Sequence, residues 1–297
     1  MQGPMEIEKQ SQTALRRRRF LRHAACLVVL AGGSTGNVGL GREPLFLGVT
    51  TSTENSGLLA HLIALFEARH DVQIRAVTAG SGAVMNLAAR GDVDVILVHS
   101  PEDEAMFVAE GYGIDRRPAM RNRYVIVGPK GDPAGLRGAD DAIDAFARLA
   151  ASKAIFLSRG DESGTHKAER RLWQTVGIDL DKGVGWYRES GSGQGATLNI
   201  AANTGAYTLT DEATWATFGN PGELEALYPN DATARNDSAL DNVYSIIRVN
   251  PERHAGLNQR DAVTFTNWLT SAAGRAAISS FKVNGRSLFS PAGELAG

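Results

Sequence analysis

The chain of 297 residues is long enough for one large or two medium domains, and its hydrophobic content of 43% is ordinary for a globular protein. Lysine and arginine number 31 against 33 aspartate and glutamate residues, and no basic stripe lies outside the N-terminal region, so the composition argues against a nucleic-acid partner. The single cysteine, Cys26, excludes an internal disulfide and argues against a cysteine-based metal site.

Residues 1–41 have the pattern of an export signal. A basic run from Arg16 to Arg22 precedes a short apolar run, 24–31, and then glycine- and serine-rich residues. The apolar run is too short to span a bilayer. The sequence Arg-Arg-Arg-Phe-Leu at 17–21 resembles a twin-arginine export signal, with a Sec signal as the alternative. We therefore expect an exported, periplasmic chain without cysteine.

The rest of the chain alternates between apolar strand patterns and helical spacing. The predicted strands are 44–49, 72–77, 93–98, 124–129, 154–157, 205–211 and 243–249, and helical patterns begin at Leu58 and cover 83–90, 140–151, 167–173, 198–202, 262–269 and 274–281. Residues 221–236 are expected to be a loop. This alternation predicts an α/β fold, in which ligands gather at the carboxyl ends of the strands.

Several predicted strands run into loops of serine, threonine and glycine that contain few charges, at 50–57, 78–82, 158–166 and 190–197. A helix start leaves backbone N–H groups without partners, and the macrodipole adds positive charge there. Hydroxyl groups and close backbone approach suit an anion at such a site. The set of loops therefore predicts a small, fully ionised oxyanion as the ligand.

The loop from Ser158 to His166 is the most informative of these. Arg159 offers a permanently charged, planar donor, and Ser163 and Thr165 stand at the predicted helix start. An ordinary capped helix beside a surface arginine is the alternative. For Asp161 we expect a helix-capping or ion-pair role, and the alternative is an acceptor for the proton of bound phosphate.

Two stretches resemble the binding loops of TupA-type tungstate-binding proteins, which are extracytoplasmic receptors of ABC importers. They are Val49 to Leu59 and Ser158 to His166, the latter followed by Glu169 and Trp173. The resemblance extends over about 47–291. It implies a type II periplasmic binding protein fold with two α/β lobes. Carried onto this chain, the first lobe covers 44–123 and 244–297 and the second lobe covers 124–243, with crossing strands near Tyr124 and Tyr244.

The resemblance further implies a monomer that delivers tungstate, or molybdate, to an ABC permease and its ATPase, without catalysis, cofactor or resident metal. The candidate ligand-binding residues are Thr50, Thr51, Ser52 and Ser81 from the first lobe and Arg159, Ser163, Thr165 and Thr197 from the second. Thr208 is a further candidate. His99 and His166 are expected to support the site from behind or to cap helices rather than to contact the ligand.

Two departures from the family pattern are visible. Gln194-Gly195-Ala196-Thr197 stands where a Met-Gly pair is usual, which leaves a similar oxyanion such as phosphate or sulfate open as the ligand. Asn122-Arg123-Tyr124 stands where an Asn-Asp-Phe-type run is usual, and we expect this to affect only the surface of the hinge.

Other function classes fit less well. A periplasmic sensor that binds the same anion but reports to a receptor has the same sequence features as an importer subunit. A serine hydrolase with Ser163 as nucleophile and His99 or His166 as base lacks the G-x-S-x-G order. The glycines at 191–195 imitate a dinucleotide fingerprint but have the wrong spacing and no suitable acidic residue after the next strand.

Overall fold

The computed structural model describes residues 42–229 and 237–293, so the predicted export signal lies outside the described residues. The described strands are β1 (Leu45–Thr50), β2 (Ile74–Ala79), β3 (Val95–Val98), β4 (Gly113–Pro129), β5 (Phe156–Ser158), β6 (Tyr187–Glu189), β7 (Thr208–Asp211), β8 (Leu224–Tyr228), β9 (Asp241–Val249) and β10 (Ser290–Pro291). The described α-helices are α1 (Thr51–Asn55), α2 (Leu58–Glu67), α3 (Ser81–Ala89), α4 (Pro101–Ala109), α5 (Ala142–Ser152), α6 (Gly164–Thr175), α7 (Gln194–Thr204), α8 (Glu212–Thr217), α9 (Gln259–Thr270) and α10 (Ala272–Ser280).

One part of the molecule is built on the strand order β10-β4-β9-β3-β1-β2. β1 pairs in parallel with both β2 and β3, whereas β9 runs antiparallel to β3 and β4. β3 is buried along its whole length, as its apolar sequence predicts for a strand covered on both faces. Helices cover both faces, with Phe66 and Phe265 in one core and Val84 and Phe107 in the other. We call this part the first lobe.

β4 connects the first lobe to a second part of the sheet. Its residues up to Arg123 pair with β9, and from Tyr124 onward it pairs with β7 and then β8. Around this second part lies a separate core with Phe146, Phe156 and Trp173, and β5 and β6 form a small parallel sheet beside it. We call this part the second lobe. The short helix α8 follows β7 but packs its Ala213 into the core of the first lobe.

Several elements differ from the sequence-based expectation, since α1, α4, α8, β6 and β10 correspond to no predicted helix or strand. β4 begins at Gly113, eleven residues before the predicted strand. The prediction missed these residues because charged residues and Pro118 interrupt the apolar pattern. Register shifts between Ile114 and Arg117 and between Pro118 and Met120 also break the alternation of buried and exposed residues. The prediction of a loop over 221–236 is wrong for Leu224–Tyr228, which forms β8 on the edge of the second lobe. The helix predicted over 140–151 is confirmed as α5, capped by the Asp141 side chain.

Helix α6 carries a buried carboxyl group into the second lobe. Glu169 is 2% exposed; it accepts a hydrogen bond from the Ser158 hydroxyl at 2.5 Å and another from the Trp173 indole at 3.0 Å. Burial disfavours the charged form and raises the pKa of Glu169 to about 7, although these hydrogen bonds oppose the shift. The folded protein therefore holds this proton more tightly than the unfolded chain does.

We predict that Glu169→Gln flattens the pH dependence of stability. When folding raises the pKa of a carboxyl group, the free energy of unfolding falls as the pH rises from the unfolded pKa through the folded pKa. The wild type should therefore lose about 1–3 kcal/mol of unfolding free energy between pH 4.5 and pH 8 because of Glu169. Thermal unfolding of both proteins across that range measures the difference. Glu223→Gln, at an exposed glutamate, is the matched control. Parallel curves for Glu169→Gln and the wild type would contradict the prediction.

Candidate functional site

The carboxyl end of β1 supplies a cluster of hydroxyl groups. Thr50 Oγ1 lies 3.1 Å from Ser52 Oγ and 3.1 Å from Thr53 Oγ1, and all three residues are buried. Thr51 is half-buried beside them. Thr50 is the N-cap of α1, but its side chain makes no capping hydrogen bond. The cluster therefore concentrates hydroxyl groups at this strand end.

His99 follows β3 and lies against this cluster. Its Nε2 is 3.4 Å from Ser52 Oγ, its Nδ1 is 2.8 Å from Asn242 Oδ1, and its ring stacks on Tyr244. Burial lowers the pKa of His99 to about 4; the bond to Asn242 opposes this shift, and Arg159 adds to it. The imidazole is therefore neutral near pH 7 and lies against Ser52. The expectation that His99 supports the ligand site from behind stays a prediction.

Arg159 lies at the carboxyl end of β5 in the second lobe and is 4% exposed. Its Nε donates to Asp161 Oδ2 at 3.1 Å, and its Nη1 donates to Gln194 Oε1 at 3.4 Å. Asp161 also accepts from the backbone N–H of Ser163 at 3.2 Å. The ion-pair role expected for Asp161 is thus observed, and it fixes the guanidinium of Arg159 in one orientation.

The start of α6 contributes two hydroxyl groups with different roles. Ser163 is the N-cap, and its Oγ accepts from the backbone N–H of His166 at 3.3 Å. The Thr165 hydroxyl is buried and interacts with the Tyr124 side chain. The hydroxyl groups of Ser81 at the start of α3 and Thr208 at the start of β7 are buried without a hydrogen-bond partner among the described residues. Buried polar groups are normally paired, so each of these two hydroxyls can still donate to an acceptor.

Thr197 is placed differently from the other candidates. Its Oγ1 lies 2.8 Å from Ser190 Oγ and within 3.2 Å of the carbonyl oxygens of Ser192 and Gly193. The hydroxyl therefore stabilises the loop that leads into α7. Gly193, the N-cap of α7, offers no side-chain cap, and neither does Gly80 at the start of α3. The backbone N–H groups at these two helix starts are not capped by a side chain of the N-cap residue.

The two lobes meet at these loops. A Cβ on Gly164 would lie 2.6 Å from the carbonyl oxygen of His99, so only glycine allows this approach of α6 to the first lobe. Beside it, two ion pairs join α6 to the acidic first turn of α4. Arg171 Nη1 lies 3.0 Å from Glu102 Oε2, and Lys167 pairs with Asp103. The lobes are therefore in direct contact around the site.

Sequence reasoning missed four buried polar residues at this interface, namely Tyr124, Gln194, Asn242 and Tyr244. The expectation that the Asn122-Arg123-Tyr124 departure affects only the hinge surface is wrong. Tyr124 is 2% exposed, and its hydroxyl donates to Asn242 Oδ1 at 2.9 Å. The sequence did contain a signal for these residues, namely pairs of polar residues two positions apart in strands that are otherwise apolar. Positions i and i+2 lie on the same face of a strand, so such pairs predict a polar patch on that face.

The geometry bears on the hydrolase alternative. The backbone of His166, not its ring, contacts Ser163, and the ring Nδ1 accepts from the backbone N–H of Glu162 at 3.2 Å. Ser52, His99 and Asn242 do follow the order of a nucleophile, a base and an orienting amide. However, a general base works best with a pKa near the operating pH, and that of His99 is lowered to about 4.

The described residues contain neither a metal-binding cluster nor a membrane-spanning helix. No group of three or more His, Cys, Asp or Glu side chains in that part of the chain is arranged to hold a metal ion. Across 42–229 and 237–293, no helix has both the length and the apolar character needed to cross a membrane.

The chain is similar to characterised families and structures. The family described as "PBP superfamily domain" matches residues 31–273. A Haloferax volcanii protein described as a candidate anion-binding protein of an ABC transporter is 39% identical over 298 residues, covering 94% of this chain and 86% of that protein. The tungstate-binding protein TupA of Peptoclostridium acidaminophilum is 34% identical over 251 residues, covering 83% of this chain and 85% of that protein.

A solved structure agrees in fold. The crystal structure described as the tungstate ABC transporter of Geobacter sulfurreducens superposes with a TM-score of 0.73 at 39% sequence identity, covering 80% of this chain and 99% of that chain. The predicted two-lobed α/β fold is thereby confirmed. The chain belongs to the periplasmic binding protein (PBP) superfamily and, within it, to the family of the TupA-type proteins.

Proposed function

We propose that this protein is an extracytoplasmic receptor that captures tungstate, or the similar molybdate, for an ABC importer. The observation that carries the proposal is the buried Arg159 at the carboxyl end of β5, whose charge acts on His99 of the first lobe, together with the buried hydroxyl groups at strand ends and helix starts. These groups can donate hydrogen bonds to an oxyanion. The tungstate-binding relative and the tungstate transporter structure support the choice of ligand.

The proposed ligand-binding set keeps the eight sequence candidates, with two kinds of contribution. Thr50, Thr51, Ser81, Arg159 and Thr165 offer donors, and Ser52, whose hydroxyl is held by His99, fixes the neighbouring Thr50 hydroxyl. Ser163 and Thr197 shape the helix starts, since their hydroxyls are already bonded there. Charge-assisted hydrogen bonds contribute about 1.5–3 kcal/mol each, so several together can support tight capture.

The pocket chemistry favours an oxyanion without a proton. Tungstate and molybdate are fully ionised near neutral pH and accept hydrogen bonds only, whereas phosphate keeps a proton that needs an acceptor. Asp161 is the nearest carboxylate to Arg159, and both of its oxygens are engaged, by Arg159 and by the Ser163 backbone N–H. This engagement argues against a phosphate-specific acceptor and leaves sulfate as the closest alternative ligand.

The remaining parts of the proposal follow from the family. We infer an exported, periplasmic monomer that hands its ligand to a permease with an ATPase subunit, with no catalysis and no cofactor. The proposed lobes are 44–123 with 244–297 and 124–243, and the proposed hinge lies where β4 and β9 pass between them. Closure of two lobes on a ligand is how such receptors signal occupancy. A sensor role would use the same site with a different partner.

We predict that calorimetry of the purified full chain shows one-to-one tungstate binding that Arg159→Ala weakens by about 30-fold or more. Truncating a buried partner of a charge pair costs about 2–5 kcal/mol. Titrations with molybdate, sulfate and phosphate rank the ligands. Arg148→Ala, at a half-buried arginine of α5 that pairs with Asp144, is the matched control.

Because Arg159→Ala leaves Asp161 unpaired, the double variant Arg159→Ala/Asp161→Ala separates the loss of the donor from the presence of a bare carboxylate. Tight phosphate or sulfate binding by the wild type would keep the fold and change the ligand. No binding of any of these oxyanions would refute the proposed function.

We predict that Asp161→Asn changes tungstate and phosphate affinity in the same direction and by similar factors. Asp161 orients Arg159, and that effect is common to any oxyanion. Parallel calorimetric titrations with both anions give the ratio of affinities. A selective loss of phosphate binding would instead identify Asp161 as an acceptor for the phosphate proton.

We predict that Arg171→Glu weakens tungstate binding by up to about 5-fold and that the swap Glu102→Arg/Arg171→Glu restores it. The Arg171–Glu102 pair joins the two lobes, so it stabilises the liganded, closed arrangement, and exposed ion pairs contribute about 0.2–1 kcal/mol. The double-mutant cycle is measured at low and high salt, and the coupling should shrink as salt rises. A swap that binds no better than the single variant would contradict a closing role.

A further inference from the structure

Five buried side chains form a continuous hydrogen-bonded row from the second lobe to the anion site. Asn122 Nδ2 donates to Asp211 Oδ1 at 3.0 Å, and Asn242 Nδ2 donates to Asn122 Oδ1 at 2.7 Å. His99 Nδ1 follows at 2.8 Å from Asn242 Oδ1, and Ser52 Oγ lies 3.4 Å from His99 Nε2. All five residues are at least nine-tenths buried. We call this row the polar relay.

The relay has a direction because one end can only accept. The Asp211 carboxylate accepts from Asn122, from the backbone N–H groups of Ala213 and Thr214, and from the Thr214 hydroxyl. The Asn122 amide must therefore point its NH₂ group at Asp211 and its oxygen at Asn242.

The same reasoning assigns the orientation of the Asn242 amide and the tautomer of His99. Asn242 donates its NH₂ to Asn122 and also to Tyr244, at 3.2 Å, so its oxygen faces His99 and also accepts from Tyr124. An acceptor at 2.8 Å requires the proton of the neutral imidazole to sit on Nδ1. The lone pair is then on Nε2 and accepts from Ser52.

The middle of the relay lies on the strands that join the lobes. Asn122 and Asn242 face each other in the β4–β9 register, one pair before β4 leaves β9 and begins to pair with β7 at Tyr124. The relay thus connects the ligand-side Ser52 to Asp211, the N-cap of α8, through both strands at the crossing point.

We propose that Asn122 and Asn242 are positioning residues for the anion site, which hold His99 as the Nδ1–H tautomer and thereby fix the Ser52 hydroxyl. This inference rests on the proposed function, because the site that Ser52 serves is the proposed oxyanion site. Without the relay the imidazole and the serine become free to take other orientations. Binding must then order them, at a cost that weakens affinity.

The surroundings of His99 support a neutral ring. The charged groups that act on it are Arg159 and Arg171 from the second lobe, and both disfavour the imidazolium. The other side chains in contact are uncharged, with Tyr244 stacked on the ring and the Tyr124 hydroxyl 3.3 Å from Nδ1. A carboxylate in place of Asn242 would therefore be the first anionic partner of this ring.

The test combines nuclear magnetic resonance of the histidine-labelled full chain with tungstate calorimetry. In the wild type we expect His99, identified by the signals missing from His99→Gln, to be neutral with its proton on Nδ1 between pH 6 and pH 8. In Asn242→Ala the proton should move to Nε2, and tungstate affinity should fall about 5- to 20-fold. Asn203→Ala, at an exposed asparagine that also donates one hydrogen bond, should change neither reading.

Asn242→Asp keeps the acceptor for His99 and adds a charge. We expect the Nδ1 proton to remain, the pKa of His99 to rise towards neutrality, and tungstate affinity to increase as the pH falls, since the imidazolium attracts the anion. A role in packing alone would produce no such pH profile. If Asn242→Ala does not fold, the Asn242→Asp variant alone tests whether Asn242 positions His99.

An unchanged tautomer and unchanged affinity in Asn242→Ala, or an unchanged His99 spectrum in Asn242→Asp, would overturn the proposal. Failure of the proposed function has a different signature. In that case the wild type would bind no tungstate, while the histidine spectra would still show whether the relay sets the tautomer.

Discussion

The structure depends on one constraint, which is that it buries more hydrogen-bond donors than there are acceptors near them. Buried donor groups come from strand ends and helix starts, and the hydroxyls of Ser81 and Thr208 have no hydrogen-bond partner among the described residues. A buried donor left unpaired costs about 1–3 kcal/mol, so an acceptor-rich ligand that pairs with such donors would add stability. In the proposed receptor, ligand capture and lobe closure would therefore be one equilibrium.

The attraction for an anion comes from groups close to the proposed site and not from the net charge of the chain. The whole chain carries a formal charge of −2, so its overall field does not attract an anion. Arg159 is held by Asp161, which compensates part of its charge while it fixes the direction of the guanidinium. Selectivity in such a site comes from the geometry of oriented donors rather than from net charge, because hydrogen bonds are directional and a screened potential is not.

The positions of several candidate residues at strand ends can be predicted from the sequence. Strand–loop–helix units with Ser, Thr and Gly in the loops place such residues at the carboxyl ends of strands, so the positions of Thr50, Ser52 and Arg159 at strand ends could be predicted from the sequence. The relay could not be assigned in this way. Asn122 and Asn242 are 120 residues apart and meet only through the β4–β9 register. The first half of β4 was also hidden, because charged residues and Pro118 mask its pattern.

The row Ser52–His99–Asn242 shows how little a side-chain arrangement says about chemistry without its electrostatics. The same order of hydroxyl, imidazole and amide serves acyl transfer in enzymes whose histidine can take a proton. Here burial and two arginines lower the pKa of the ring, so that transfer of the Ser52 proton to Nε2 is unfavourable near neutral pH. What remains is a fixed acceptor that orients one hydroxyl. In the proposed site the neutral ring makes this row a support for binding, and the positive charge of Arg159, which helps to keep the ring neutral, is the charge that we propose attracts the anion.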